Sequence, residues 1–230
     1  MEVQKEFIYF QQTFDNGSNS SVKSPIALPN LSQGAEQILL GSLLGDGSLS
    51  KRCCNTRFFE SHSSKQYEYL LWKNIFLNFK LNRGDYFFKQ INKIYPICYL
   101  RSLSLPIFNY YYDIFYINNK KVVTKEILDK LEPLGLAVWY CDDGSYNYRY
   151  NTINIATICF GEEGNKIIQD WFKIRFQLEW IIAKRNILKL RRKDTKKFID
   201  LIKPYVPKCM EYKLGLDMGK QKQQKLKSIG

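Results

Sequence analysis

Apolar residues recur along the chain in blocks that predict helices alternating with short strands. Residues 35–46 form an apolar block, whereas residues 64–81 place Leu70, Ile75 and Phe79 at helical spacing on an otherwise polar background. The first run of elements is helix, strand, helix, strand pair, helix and short helix, predicted over residues 35–46, 57–61, 64–81, 86–103, 107–116 and 124–131.

A second run of the same kind begins at Pro133, a residue that suits the first turn of a helix. That helix ends at Gly144, and a strand, a helix, a hairpin and a last helix are predicted over residues 152–160, 164–176, 178–192 and 194–204. Because each run places helices between strand pairs, the pattern predicts an α+β fold. The strand–helix–strand alternation of a Rossmann sheet is absent from it.

The two apolar helices carry a faint internal repeat. LLGSLLGDGS begins at Leu39 and LAVWYCDDGS begins 97 residues later at Leu136, so a twofold architecture is expected. The predicted division of the chain is an N-terminal arm, a first half, a second half and a basic tail, over residues 1–32, 33–132, 133–215 and 216–230.

Composition and net charge limit the classes of function that the chain can have. The 230 residues include 35 Lys and Arg against 22 Asp and Glu, a net charge of +13 that predicts a polyanionic partner, either nucleic acid or an acidic membrane. No apolar run approaches the roughly 18 residues of a membrane span, and the first residues carry neither a secretory nor a transit signal pattern. The six cysteines form no C-x-x-C pair, which argues against zinc fingers. The single histidine, His62, lies in a polar stretch that predicts a surface position, whereas core positions are expected for Trp72, Trp139, Trp171 and Trp180.

Each apolar helix ends on an aspartate followed by glycine, Asp46 in the first and Asp143 in the second. A carboxylate at a helix C-terminus costs of order 0.3–1 kcal/mol, and two of them side by side repel each other. A divalent cation reverses that penalty, and carboxylate oxygens favour Mg²⁺ or Ca²⁺. The alternative interpretation is that both Asp-Gly pairs are ordinary turns. Small residues support close packing of the two helices, namely Gly41, Gly45, Ala137 and Cys141.

A basic strand is predicted near the C-terminal end of the chain. Leu188 and Leu190 alternate with Lys189, Arg191 and Lys193, which places the leucines in the core and the cations on one face. Such a face suits phosphates and guanine edges, although a solvated face is the alternative. The predicted DNA-binding residues are Lys89, Arg101, Lys184, Arg185, Lys189, Arg191, Arg192 and Lys193.

LLGSLLGDG (39–47) and LAVWYCDDG (136–144) resemble the paired motifs of the LAGLIDADG homing endonucleases in their single-chain, two-motif form. The resemblance covers residues 33–215, and LIKPYVPKCMEYKL (201–214) and FYINNKKVVTKEI (115–127) are similar to segments of the intron-encoded yeast-mitochondrial type. It implies two pseudo-symmetric αββαββα halves with the motif helices at their interface. The paired antiparallel sheets would form a DNA-binding saddle.

The resemblance also implies roles for single residues. Asp46 and Asp143 match the metal-binding carboxylates, with Mg²⁺ as the expected ion and Mn²⁺ as a substitute. Lys121 and Lys213 match basic residues beside each scissile phosphate, and Lys120 is the neighbouring alternative to Lys121.

Three further residues belong to this implied site. Glu60 matches a polar catalytic residue that helps to place water, and its counterpart in the second half is predicted to be Ile158, a departure from the usual polar residue. Asp142 is interpreted as a structural cap or a minor ligand.

The implied activity is metal-assisted hydrolysis that makes a double-strand break with 3′ overhangs in a long asymmetric DNA site. The alternatives are an RNA maturase that assists splicing of its host intron and a DNA-binding relative that does not cleave. The expected partners are double-stranded DNA and, for a maturase, intron RNA, with the protein a monomer and no membrane involved. Residues with A/T-rich codons are abundant, which predicts an organelle, either mitochondrion or chloroplast.

Overall fold

The computed structural model describes residues 31–88 and 93–215. The predicted basic tail, Lys89 and all but the last two residues of the predicted N-terminal arm lie outside the described residues.

The first half contains three helices and a four-stranded sheet. Its elements are α1 (Gln33–Leu44), β1 (Ser48–Arg52), β2 (Asn55–Ser63), α2 (Tyr67–Leu77), β3 (Lys80–Phe88), β4 (Lys93–Arg101) and α3 (Ile107–Phe115). Helix α1 begins where the Ser32 hydroxyl accepts a hydrogen bond from the Ala35 amide at 3.3 Å, so the serine satisfies one of the unpaired donors of the first turn.

A short hairpin and a one-turn helix, β5 (Tyr116–Ile117), β6 (Lys120–Lys121) and α4 (Lys125–Asp129), lead to the second half. This half repeats the order of the first with shorter strands. Its elements are α5 (Pro133–Asp143), β7 (Gly144–Asn147), β8 (Thr152–Ile155), α6 (Gly161–Phe176), β9 (Trp180–Ala183), β10 (Ile187–Leu190) and α7 (Arg192–Ile202).

Both sheets are antiparallel and have the same topology. The strand orders are β1-β2-β4-β3 and β7-β8-β10-β9, which correspond element by element. Each half therefore reads αββαββα, and the α+β prediction is confirmed. Within the described parts of the chain, every helix falls short of the length and apolar character that crossing a bilayer requires.

Helices α1 and α5 pack directly against each other at the centre of the molecule, and most of their residues are buried. Glycine makes the close approach possible: a Cβ atom built on Gly41 would lie 2.4 Å from the Gly135 carbonyl oxygen. One built on Gly45 would lie 2.5 Å from Cβ of Asp142. The partners of the two glycines are thus Gly135, Val138 and Asp142.

The structure corrects two details of the predicted elements. Helix α2 buries Tyr69, Leu70, Lys73 and Leu77, whereas Ile75 is 59% exposed, so the buried face differs from the predicted one. The strand predicted over 152–160 ends at Ile155, and a 3₁₀ turn over Ile158–Phe160 follows.

The burial predicted for the tryptophans and the exposure predicted for the histidine have different outcomes. Trp139, Trp171 and Trp180 are buried as predicted, and Trp72 is half-buried against the core. The surface prediction for His62 is wrong, because β2 directs alternate residues inward and only 7% of His62 is exposed.

Candidate active site

The two motif helices end beside each other and carry the predicted aspartates. Asp46 lies just beyond α1 with its side chain 42% exposed, and Asp143 is the last residue of α5. Burial, followed by the negative charges of Asp46 and Asp142, raises the pKa of Asp143 to about 7. The two aspartates are therefore close enough for the charge of Asp46 to affect the pKa of Asp143.

Each motif is accompanied by one half-buried lysine that donates to backbone carbonyls next to its aspartate. Lys121 Nζ donates to the carbonyl oxygens of Gly45 and Gly47 at 3.1 and 2.7 Å, on either side of Asp46. Lys213 Nζ donates to those of Cys141 and Asp142, at 2.5 and 3.0 Å, just before Asp143. Burial lowers the pKa of both lysines, and the nearby carboxylates partly oppose that shift. Lys121, rather than the exposed Lys120, makes these contacts.

Asp142 belongs to the second motif, but its carboxylate lies inside the first half. It accepts from Lys73 Nζ at 2.8 and 3.0 Å and from the Tyr69 hydroxyl at 2.7 Å. It also contacts the backbone amide of Asp46 at 3.4 Å. Burial raises the pKa of Asp142 to about 6, although Lys73 opposes the shift. Asp142 therefore links the two halves.

Glu60 is completely buried, which removes it from the water-placing position expected of it. Its Oε1 accepts from Lys73 Nζ at 2.5 Å and contacts His62 Nε2 at 2.6 Å. Burial opposes ionisation, but the charge of Lys73 and the His62 contact outweigh it and hold the pKa of Glu60 at about 2. Glu60 is thus an ionised partner of two basic groups.

Strand register identifies what replaces this cluster in the second half. Ser48 pairs with Phe59, and its motif equivalent Ser145 pairs with Asn154. The residue that corresponds to Glu60 is therefore Ile155, not Ile158, which is 56% exposed in the 3₁₀ turn. The departure from a polar residue remains, but it lies at a buried position.

A set of metal-binding groups lies beside α1. Asp46, His62 and Asp142 each offer one ligand atom, and these atoms lie within 4.8 Å of one another. Carboxylates and an imidazole suit a divalent cation. The pKa of Asp143 is raised first by burial and then by the nearby carboxylates, and a bound cation opposes both effects. The residues present thus fit the metal that the motifs imply.

The predicted basic residues spread over the second sheet and its turn. Lys184 and Arg185 are exposed in the β9–β10 turn, and Lys189 faces away from the buried Leu188 and Leu190. The basic strand ends earlier than predicted, because Arg192 and Lys193 already lie in α7.

Three of the predicted basic residues that the structure describes differ in their ion pairing and position. Arg191 and Lys193 are paired with Glu179 at 3.1 and 3.2 Å. Arg101 lies half-buried on β4, on the sheet face that points away from the core. The same face carries Arg57 and Lys80, which were not predicted.

Sequence reasoning missed Lys73, Tyr69 and His62 as members of the site. The only available signal was alternation along β2, which places Glu60 and His62 on the same face as Phe58. A buried carboxylate and imidazole require polar partners, and a lysine on the helix that packs against β2 can supply one.

Comparisons with known proteins agree with this geometry. The LAGLIDADG DNA endonuclease family model matches residues 36–198. The protein named "Protein RecA" of Mycobacterium shimoidei is 32% identical over 208 residues, which cover 80% of this chain and 47% of that protein. The chain thus spans about half the length of the first curated relatives it matches.

Two further relatives match most of their own length. DNA endonuclease I-ChuI of Chlamydomonas applanata is 25% identical over 209 residues, covering 80% of this chain and 96% of that protein. The solved structure of the homing endonuclease I-WcaI bound to its DNA recognition sequence has a TM-score of 0.72 at 22% identity, covering 80% and 87% of the two chains. This likeness shows the fold. With two motif helices that end on neighbouring aspartates and a family match over most of its length, the chain belongs to the LAGLIDADG DNA endonuclease family.

Proposed function

We propose that this protein is a site-specific homing endonuclease that cuts both strands of a long asymmetric DNA site and leaves 3′ overhangs. The observation that carries the proposal is the pair of aspartates at adjoining helix ends, each flanked by a lysine that is held against neighbouring carbonyls. Relatives named as DNA endonucleases support the reaction class.

The chemistry follows from what these side chains can hold. Asp46 and Asp143 would bind divalent cations, Mg²⁺ in the first place and Mn²⁺ as a substitute, and the bound ion supplies a more acidic water and stabilises the leaving 3′ oxygen. Lys121 and Lys213 are fixed at their ammonium ends, so each can present a positive charge to a phosphate at little further entropic cost. Glu60 acts indirectly, by holding His62 and Lys73 in place.

DNA is the polyanion that the two outward sheet faces suit. Arg57, Lys80 and Arg101 on the first sheet and Lys189 on the second point away from the core. A sheet of this kind can enter the major groove, where side chains read base edges while lysines and arginines bind phosphates. The similar fold of a homing endonuclease solved with its DNA recognition sequence supports DNA as the partner.

Cleavage of a matched substrate tests the proposal. The substrate is a plasmid carrying the DNA from both sides of the reading frame, joined with the reading frame removed. We expect the wild-type protein with Mg²⁺ to linearise it, whereas Asp46→Asn and Asp143→Asn each abolish double-strand cleavage and still bind in a gel-shift assay. Asp170→Asn, on the exposed face of α6, is the control.

The possible results separate the hypotheses. Cleavage of both strands at the normal rate by either active-site variant would show that the active site has been assigned wrongly. Binding without cleavage by the wild-type protein, in Mg²⁺ and in Mn²⁺, would indicate an inactive relative. Stimulated splicing of the host intron RNA by that inactive protein would indicate a maturase. A monomer and an organellar location stay predictions.

A further inference from the structure

The imidazole of His62 is held in one orientation by a buried carboxylate. Its Nε2 lies 2.6 Å from Glu60 Oε1, and both side chains are almost or completely removed from solvent. Because a carboxylate oxygen accepts, Nε2 carries the hydrogen of this contact. This arrangement, a carboxylate behind a histidine, is the one that orients the other ring nitrogen toward a metal ion.

The other nitrogen, Nδ1, faces oxygen atoms. Asp46 Oδ2 lies 3.6 Å from it and Gln66 Oε1 lies 3.2 Å from it, and Asp142 contributes a further oxygen within 4.8 Å of the Asp46 and His62 ligand atoms. Two ligands of one ion, each about 2.1 Å from it, are separated by roughly 3–4 Å. The distance between Nδ1 and Asp46 Oδ2 is thus suitable for a shared ion.

The charges around Nδ1 also favour the binding of a cation. Three carboxylates, Asp46, Glu60 and Asp142, are linked by shared basic partners, which within the described residues are Lys73 and His62. Oε2 of Glu60 is buried without a hydrogen-bond partner in the described structure. Acidic charge therefore exceeds basic charge beside Nδ1, where Glu60 and Asp142 are buried and Asp46 is partly exposed.

We propose that His62 Nδ1 and the carboxylate of Asp46, with Asp142 as a third donor, form a mixed nitrogen–oxygen metal site in the first half. A nitrogen ligand favours borderline ions such as Mn²⁺, Co²⁺ or Ni²⁺ over Mg²⁺. The inference deepens the proposed endonuclease function, since it rests on Asp46 as a metal-binding residue.

The second half provides an internal comparison. Thr157 lies two residues after Ile155, as His62 lies two residues after Glu60, and its hydroxyl donates to the Asn186 carbonyl at 3.1 Å. No imidazole is available there, because the chain contains one histidine. The proposed site at Asp46 is therefore mixed, whereas any site at Asp143 lacks an imidazole ligand.

Pulsed electron paramagnetic resonance of bound Mn²⁺ tests this directly. The full chain, without a histidine tag, is labelled with ¹⁵N-histidine and given one equivalent of Mn²⁺ in the absence of DNA. We expect a hyperfine coupling from one nitrogen, which changes frequency between ¹⁴N and ¹⁵N samples. Because the wild-type protein itself gives the answer, the test does not depend on a variant folding.

Matched variants locate the ion. Asp143→Asn should retain the nitrogen coupling, whereas Asp46→Asn and His62→Gln should lose it. In calorimetry His62→Gln should bind Ni²⁺ at least tenfold more weakly, with Mg²⁺ affinity changed less than about twofold.

Two results would overturn the proposal: Mn²⁺ that binds without nitrogen coupling, or no Mn²⁺ binding up to millimolar concentration. Either can occur while Mg²⁺-dependent cleavage persists, which leaves the endonuclease function intact. Nitrogen coupling in a protein that fails to cleave would contradict the endonuclease function alone.

Discussion

The two halves share one topology and differ in what they bury beside the motif helices. In the first half Glu60, Lys73 and Asp142 form a charged cluster. Helices α2 and α6 both end on a residue in the left-handed conformation, Asn78 and Gln177. Aligned on these caps, Phe172 corresponds to Lys73, as Ile155 corresponds to Glu60. The second half thus has apolar side chains at the positions of the first half's ion pair.

The difference shows that the fold does not require the charges. A buried ion pair is often no more stabilising than an apolar replacement of similar volume, whereas removing one partner is costly. The first half therefore keeps its cluster for a reason other than stability, and the position of His62 between Glu60 and Asp46 supplies one.

The largest loss of stability should come from removing the lysine at the centre of the charged cluster. Lys73→Met leaves the buried carboxylates of Glu60 and Asp142 without their lysine, and we expect the free energy of unfolding to fall by about 3–5 kcal/mol. Urea unfolding at neutral pH measures the loss. The triple variant Glu60→Leu, Lys73→Met and Asp142→Asn, which makes the first half resemble the second, should recover most of it. An unchanged Lys73→Met protein would show that the cluster is not buried as described.

A pH dependence should follow from Asp143. The pKa of its buried carboxyl is about 7 in the folded protein and about 4 when unfolded, so the native state holds a proton that the unfolded state has released. Without divalent cations, the free energy of unfolding should therefore fall between about pH 4 and pH 7, by at most about 1.4 kcal/mol for each unit of the pKa difference. Asp143→Asn should lose this contribution, and Asp170→Asn should retain it. Parallel pH profiles for wild type and Asp143→Asn would contradict the shift.

A smaller loss of stability is expected from a substitution at the contact between helices α1 and α5. Gly41→Ala places a methyl group 2.4 Å from the Gly135 oxygen, and we expect the strain to cost about 1–3 kcal/mol. Gly84→Ala is the control, because its nearest neighbour is a Tyr99 atom 3.6 Å away. Thermal unfolding of both variants compares the two positions, and equal midpoints would mean that α1 and α5 pack less closely than described.

The smallest effect concerns the two sheet faces. Lys189→Ala on the second sheet and Arg101→Ala on the first should each make the slope of log K against log salt less steep by about 0.9, if each cation neutralises one phosphate. Lys166→Ala, whose lysine is exposed and paired with Glu162, should leave the slope unchanged. Fluorescence anisotropy with duplex DNA at several salt concentrations measures it, and an effect on one sheet only would assign phosphate binding to that half.

Local patterns were enough to predict the fold class. The apolar motif helices that end at Asp-Gly and the strands placed between helices predicted the α+β class. The αββαββα order came from the resemblance, because the pattern predicted one strand, not two, after each motif helix. Lys121 and Lys213 as partners of the motifs came from the resemblance, and the carbonyl contacts agree with it.

The cluster in the first half could not be predicted, because it depends on contacts between distant elements. Lys73 is a polar residue on an amphipathic helix, and only Glu60 and Asp142 make its burial possible. Ile158 was predicted as the counterpart of Glu60 by distance along the sequence, whereas strand pairing fixes Ile155. Register is a tertiary property that one sequence specifies weakly.

The carboxylate of Asp142 crosses from one half into the other, which limits how such halves can be recombined. Each half carries its own lysine for its own motif, Lys121 or Lys213, so a chimera built by fusion would retain both of these contacts. The residue before the motif aspartate of the second module must also be an acid, as Asp142 is, because it pairs with Lys73 of the first module. The first half has Gly45 at the equivalent position, which offers no carboxylate. A duplicated first half would therefore leave two lysines short of a counter-charge, and an engineered hybrid needs an acid at that one position of its second module.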